Sequence, residues 1–204
     1  MAEKLDFKKS LKSFYAPKNT EFQLIELPAL RYLAIDGIGA PESDEYSLAI
    51  QALYSTAYPL KFISKGTTGK DYAVPPLEAL WWADDYSAFT LNERKAWKWT
   101  LLSIVPDWIT QEHLNAAIAK ALAKGNDRAV HIEFRIIEEG LSYQALYTGP
   151  FSGEGSVLSI LHDVVMPESG YTFNGLHHEI YLSDMRRTDP EKFKTILRQP
   201  VKPL

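Results

Sequence analysis

The 204-residue sequence contains no cysteine, which removes disulfides, thiolate metal sites and cysteine nucleophiles from consideration. Such a chain suits the reducing cytosol, and a cytoplasmic location is the expectation. No apolar run approaches the ~18 residues of a membrane span, and the N-terminus lacks the apolar segment of a secretion signal. Long Lys/Arg runs are also missing, and the formal net charge is −4. A nucleic-acid partner is therefore not expected, because phosphate binding calls for a basic stripe. Phosphate and nucleophile motifs fail on inspection. In KGTTGKD (65–71) Gly66 and Gly69 stand too close together for a phosphate loop, and Asp71 occupies the position that needs Ser or Thr. GIGAP and GEGSV supply only a Gly-x-Gly each, and no Gly-x-Ser-x-Gly elbow surrounds Ser152 or Ser156. His177 and His178 are neighbours on a strand, so they point apart and do not chelate one metal. Arg186 and Arg187 offer a phosphate anchor or, more commonly, a salt bridge to Asp184 or Asp189. No cofactor and no metal is implied.

What the sequence does hold is an ordinary globular content of 46% hydrophobic and 24% charged residues, with 12% aromatics that include five Trp and eleven Tyr. Residues 3 to 15 read as a short basic helix. APKNT (16–20) breaks it. FQLIEL (22–27) and RYLAIDG (31–37) read as strands separated by Pro28. Ser43 is an N-cap before an acidic first turn, and Tyr46, Ile50, Leu53, Tyr54 and Ala57 follow at helical spacing. Strand-like YAVPPLEALWWAD (72–84) and KAWKWTLLSIVP (95–106) come next. Thr110 then caps a helix that Gly125 ends. HIEFRII (131–137) and LSYQALYTG (141–149) are strands joined by EEG, a hairpin-like turn. A helix over SGEGSVLSILHDVV, a strand region over 171–184, a short turn opened by Thr188-Asp189-Pro190 and KTILRQPV complete the chain.

Two halves superpose. YLAIDG lies over YQALYTG with one residue of slip, and YAVPPLEALWWADD over YTFNGLHHEIYLSD, with Tyr72 on Tyr171 and Leu77 on Leu176. Each half is strand–helix–strand–strand, with an extra hairpin partner at its start. The expected fold is α+β: tandem pseudo-twofold units forming an antiparallel sheet, helices on one face and a central ligand cleft. The division is an N-terminal helical extension over 1–20 and one domain over 21–204, with repeat one at 21–108, a linking helix at 109–125 and repeat two at 126–204. Spacing alone leaves open whether a cavity or a shared core lies between the halves.

Strand alternation places Glu78, Leu80 and Trp82 on one face and His177, Glu179 and Tyr181 on one face. In the superposition Glu78 and Glu179 point to the same kind of face, so two carboxylates are expected to meet across one aromatic site. An alternative is that both strands turn these faces to solvent.

YAVPPLEALWWADD, HHEIYLSDMRRTDPEKFKTILRQPV and DFKKSLKSFYAPKN together resemble the GyrI-like small-molecule-binding family, over nearly the whole chain. The stand-alone members, some of them cyclopropanoid cyclopropyl hydrolases, are the most similar. The resemblance implies two tandem strand–helix–strand–strand units with a ligand cleft between them. Relatives fused to transcription factors bind lipophilic, often cationic drugs through a central glutamate, whose position matches Glu179; Glu78 matches the motif glutamate of the first half. Tyr147 departs from the pattern, since related chains often carry His before the hydrophobic-Gly-Pro turn.

The resemblance implies detoxification, as in antibiotic resistance, by hydrolysis of a strained, flat electrophile. That chemistry needs an aromatic slot, a base that directs water and a donor for the oxygen that gains charge. Glu179 is the first choice as base and Glu78 as its partner, with one of two close carboxylates holding a proton. Tyr147, Tyr181 or His177 are candidate donors. Trp81, Trp82 and Trp99 are candidates for the stacking wall, with parity favouring Trp82, and Tyr54 is a further ligand-facing residue. The same residues also suit a non-catalytic drug-sequestering protein that holds a lipophilic cation by charge and cation–π contact. A topoisomerase-binding inhibitor is suggested by the family name alone.

Overall fold

The structure, a computed structural model, describes residues 4–17 and 20–204; Lys18 and Asn19, in the expected break after the extension, lie outside the described residues, as does the start of the expected basic helix. The N-terminal segment forms two helical turns, α1 Phe7–Ser10 and α2 Lys12–Tyr15, interrupted at Leu11. β1 Gln23–Leu27 and β2 Leu30–Ile38 lead into α3 Asp44–Thr68. β3 Leu77–Trp82, the short α4 Ser87–Thr90 and β4 Lys98–Ile104 follow, then α5 Gln111–Leu122. After β5 Glu133–Ile137 and β6 Gly140–Thr148, α6 Glu154–Ile160 runs through a π-helical turn, Leu161–Val165, into α7 Met166–Glu168. β7 Tyr171–Phe173, β8 His177–Tyr181 and β9 Lys194–Pro203 close the chain. The predicted caps form: Ser43 accepts from the Tyr46 amide, and Thr110 makes a capping box with His113. Among the described residues no helix is long and apolar enough to cross a membrane.

The fold is mixed α+β, built on a nine-stranded antiparallel sheet in the order β1-β6-β9-β8-β3-β4-β2-β5, with β7 added beside β9. The two expected hairpins do not exist. β1 pairs with β6, and β5 pairs with β2, so each first strand crosses to the other half. Turn chemistry explains the exchange. A two-residue hairpin turn needs positive φ at one or both central residues. Pro28-Ala29 and Glu138-Glu139 supply none, because Asn92 is the only non-glycine at positive φ among the described residues. Gly140 does have φ +59, but it is already the first residue of β6.

The two halves meet where β3 pairs with β8, and the register is Leu77↔Tyr181, Glu78↔Ile180, Ala79↔Glu179, Leu80↔His178 and Trp81↔His177. Residues directly opposite share a face. Glu179 therefore shares a face with Ala79 and Trp81, while Glu78 lies on the other face with His178 and Trp82. This corrects the expectation that the two glutamates meet, and with it the choice of Trp82 as the wall beside Glu179. α3 and α6 cover the Glu179 face. Tyr46 of α3 stacks on Trp81 (5.5 Å, 22°) and meets Trp99 edge-on, and Leu161 and Met166 pack with Tyr143.

The opposite face carries a buried ionic cluster that holds the N-terminal turns in place. His178 lies between two carboxylates, with Nε2 3.0 Å from Glu78 Oε2 and Nδ1 2.8 Å from Glu139 Oε1. Arg198 donates to Glu139 at 2.9 Å, to Gln144 and to the Phe14 carbonyl. Tyr15 donates to Glu78 at 2.9 Å, and Gln144 donates to the Ser13 carbonyl. Two anions thus face two cations, which is how buried charge is tolerated. Burial alone disfavours the charged imidazole of His178, but Glu139 and then Glu78 outweigh it and hold the pKa up at about 9, from an ordinary 6.5. For Glu139, burial pushes upward, but His178 and Arg198 win and hold it down at about 2, from 4.5.

Two measurements follow. The His178 pKa is raised on folding, so its stabilisation is complete below pH 6.5 and is lost as pH rises through about 9. Urea unfolding between those limits should show falling stability in the wild type and no such fall in His178→Gln; an unchanged slope in the variant removes His178 as the cause. The ring of Trp99 spreads over Gly37, its partner across the β2–β4 ladder, where an added Cβ would come within 2.0 Å of the ring. Gly37→Ala should therefore cost at least about 1–3 kcal/mol in chemical denaturation, as overpacking of a filled core does.

Candidate active site at the centre of the sheet

Glu179 stands at the middle of the β3–β8 seam, opposite Ala79, whose single methyl leaves the carboxylate uncrowded from across the ladder. Tyr181 donates to Glu179 Oε2 at 2.7 Å, and its hydroxyl accepts from Trp81 Nε1 at 3.0 Å. His177 Nε2 lies 3.1 Å from Glu179 Oε1. Strand alternation produces this trio, because residues 177, 179 and 181 fall on one face. The side chains of Glu179 and His177 each keep 13% of their surface exposed, so the carboxylate is sheltered without being sealed. Tyr46 and Phe151 add aromatic cover: Tyr46 by stacking on Trp81, Phe151 by meeting Tyr181 edge-on at 5.7 Å. The Tyr181 phenol is pushed well above its usual pKa by burial and then by the Glu179 charge, so it donates rather than ionises.

The sequence expectation places eight further residues, and the structure sorts them. His177 and Tyr181 touch Glu179, and Trp81 joins through Tyr181. Trp99 shares the face but is completely buried over Gly37, where it serves the core. Tyr54 lies on α3, half-buried, with its phenol pushed up to about 12 by burial and then by Tyr58. Tyr147 gives its proton to the Pro150 carbonyl at 2.9 Å, and its ring fills the turn beside Gly149 and Gly153. That hydroxyl is committed to the turn. Glu78 and Trp82 are on the far face. Aromatic rings shelter the Glu179 carboxylate at this point without sealing it. Cavities of about 450 and 330 Å³ lie elsewhere, one lined by Asp36, Glu45, Asp127, Arg128 and His131, the other between the N-terminal segment and β1.

A residue not singled out in the sequence completes the site. Glu154, in the first turn of α6, is buried, and its Oε1 has no hydrogen-bond partner. Burial, and after it the Glu179 charge, push its pKa up to about 9, with the neighbouring Thr195 side chain working in the opposite direction. It is therefore a carboxylic acid at neutral pH. In the sequence it reads as one more acidic residue at a helix start, a common and usually exposed arrangement. His162, in the π-helical turn, has its pKa lowered to about 4 by burial and then by the nearby His177. No group of three or more His, Cys, Asp or Glu among the described residues is arranged to hold a metal.

With this geometry in view, comparison with known proteins is specific. Residues 20–202 match the GyrI-like small molecule binding domain. A crystal structure of an uncharacterized conserved protein from Listeria innocua is 40% identical, with a TM-score of 0.88, and the alignment covers 98% of this chain and 100% of that one. A hydrolase from Listeria innocua is 38% identical, with a TM-score of 0.84 and the same coverage. The EcmrR C-terminal domain, at 15% identity and a TM-score of 0.59 over 90% of this chain and 98% of that one, shares the fold. Among curated proteins no sequence matches. The chain belongs to the GyrI-like small-molecule-binding family.

Proposed function

We propose that the protein binds flat, lipophilic aromatic molecules against Glu179 and opens an electrophilic cyclopropane in them by Glu179-assisted attack of water. One observation carries this reading: a partly accessible carboxylate, oriented by Tyr181 and His177, among the rings of Trp81, Tyr46 and Phe151. The hydrolase from Listeria innocua at 38% identity supports a hydrolytic activity in general terms.

The chemistry asked of these groups is modest. A cyclopropane conjugated to a carbonyl is strained, and breaking one ring bond sends an electron pair to the carbonyl oxygen. Water must arrive at the ring carbon in line with the bond that breaks, and holding it there accounts for much of the barrier reduction. Glu179 takes the proton of that water as the new C–O bond forms. His177 and Tyr181 hold the two carboxylate oxygens at fixed positions, so that this base is already oriented. A positioned general base of this kind contributes about 10²–10⁴-fold. A second reading, sequestration without reaction, rests on the same carboxylate among rings, which suits a lipophilic cation.

Turnover separates the two. Protein at substoichiometric amount is incubated with a cyclopropane-containing alkylator, and the ring-opened alcohol is followed by mass spectrometry. Several equivalents of alcohol per protein support hydrolysis; alkylator protected without product supports sequestration. Glu179→Gln should lower turnover by at least about 10²-fold while leaving the unfolding midpoint nearly unchanged. Wild-type turnover in that variant would refute the assignment of the base. Trp81→Ala should weaken ligand binding by about tenfold, and Trp82→Ala should leave it unaltered, because its side chain is on the far face; fluorescence titration of a flat aromatic ligand reads both. The reverse ranking would place the ligand on the wrong side of the sheet.

A further inference from the structure

The proposed ring opening needs a proton for the oxygen that gains charge, and the donors that strand alternation suggests are already occupied. Tyr181 gives its proton to Glu179, and Tyr147 gives its own to Pro150. His177 faces the base itself. The helix above the seam brings a different group. Phe151 meets Tyr181 edge-on, which lays the start of α6 over the Tyr181–Glu179 pair. Glu154 begins α6 one turn later, with 5% of its surface exposed. Thr195, whose side chain favours the ionised form of Glu154, stands directly opposite Tyr181 in the β8–β9 ladder. The Tyr46 hydroxyl, reaching in from α3, feels both Glu154 and Glu179. One oxygen of Glu154 is buried without any partner, an arrangement that costs about 1–3 kcal/mol unless a ligand uses it.

We propose that Glu154 is the acid of this site: it gives its proton to the substrate oxygen as the cyclopropane opens, while Glu179 receives the proton of the attacking water. This inference rests on the hydrolytic reading above. The step balances. A C–O bond to water forms, one ring C–C bond breaks, and its electron pair moves through the conjugated system to the carbonyl oxygen, which takes the proton of Glu154. Transfer of the proton gained by Glu179 back to Glu154 through solvent restores the pair, and the net change is the addition of one water. The groups that face Glu154 fit the role. Glu179 on β8 is an anion, Tyr46 on α3 and Tyr147 on β6 are neutral phenols, and burial with the Glu179 charge keeps Glu154 protonated up to about pH 9.

The test uses the full-length protein, a cyclopropane-containing alkylator and the pH dependence of kcat/KM. In the wild type the basic limb should fall near pH 9, where Glu154 loses its proton. Glu154→Gln should lower turnover by about 10²-fold and abolish that limb, as removal of a general acid does. Thr195→Val, which removes the neighbouring hydroxyl that favours the ionised form, should keep the protein active and move the limb to higher pH. An infrared difference spectrum at pH 7.5 should show a protonated carboxyl band in the wild type that is missing from Glu154→Gln. Turnover and profile unchanged in Glu154→Gln, or a limb unmoved by Thr195→Val, overturns the donor assignment and leaves hydrolysis standing. If the Gln variant does not fold, the Thr195→Val profile and the wild-type infrared band decide alone. No alcohol from the wild type overturns both the hydrolytic reading and the donor.

Discussion

The register between β3 and β8 is the constraint on which the rest of the structure depends. With Ala79 opposite Glu179, one glutamate faces the helices and the other faces the N-terminal turns. A slip by one residue would exchange every side chain of a strand between the two faces. The ionic cluster opposes such a slip. His178 and Arg198 lie side by side in the β8–β9 ladder and satisfy Glu78 and Glu139 on a single face. Moving either strand by one would bury those charges without partners, at a cost of several kcal/mol per ion. A buried network of this kind therefore specifies pairing as much as it contributes to stability.

Three carboxylates in one small region meet three environments, and their environments assign their parts. Glu78 is closed in completely and spends its charge on His178 and Tyr15. Glu179 is held by two donors and keeps a path to solvent. Glu154 has burial and a nearby negative charge but no cation, so it retains its proton. The partner for Glu179 thus comes from a helix laid across the seam, and the opposite strand contributes a small residue in its place.

The aromatic richness of the chain divides in the same way. Trp99, Tyr15, Tyr32 and Tyr72 are core residues, fully enclosed, and each buries an area worth a few kcal/mol. Trp81, Tyr46, Tyr181 and Phe151 are ordered around the carboxylate by stacking and by the Trp81–Tyr181 hydrogen bond. Composition counts both sets together; only contact separates them.

Helix starts at Ser43 and Thr110, the strand–helix–strand–strand order and the grouping of 177, 179 and 181 were legible in the sequence, because caps, periodicity and alternation act over a few residues. The place of Glu179 between His177 and Tyr181 on one strand face was legible for the same reason. The exchange of β1 and β5 between the halves was not, since a strand does not record which edge it will join; the missing positive-φ residues at Pro28-Ala29 and Glu138-Glu139 were its one local trace. Aligning the halves by look-alike residues placed Glu78 beside Glu179, whereas the ladder sets Ala79 there. Local chemistry in the chain determined which elements form and which side chains share a strand face. Tertiary packing decided which strands pair, in what register, and that Glu154 rather than Glu78 neighbours Glu179, because register is fixed by long-range burial of charge that no short window contains.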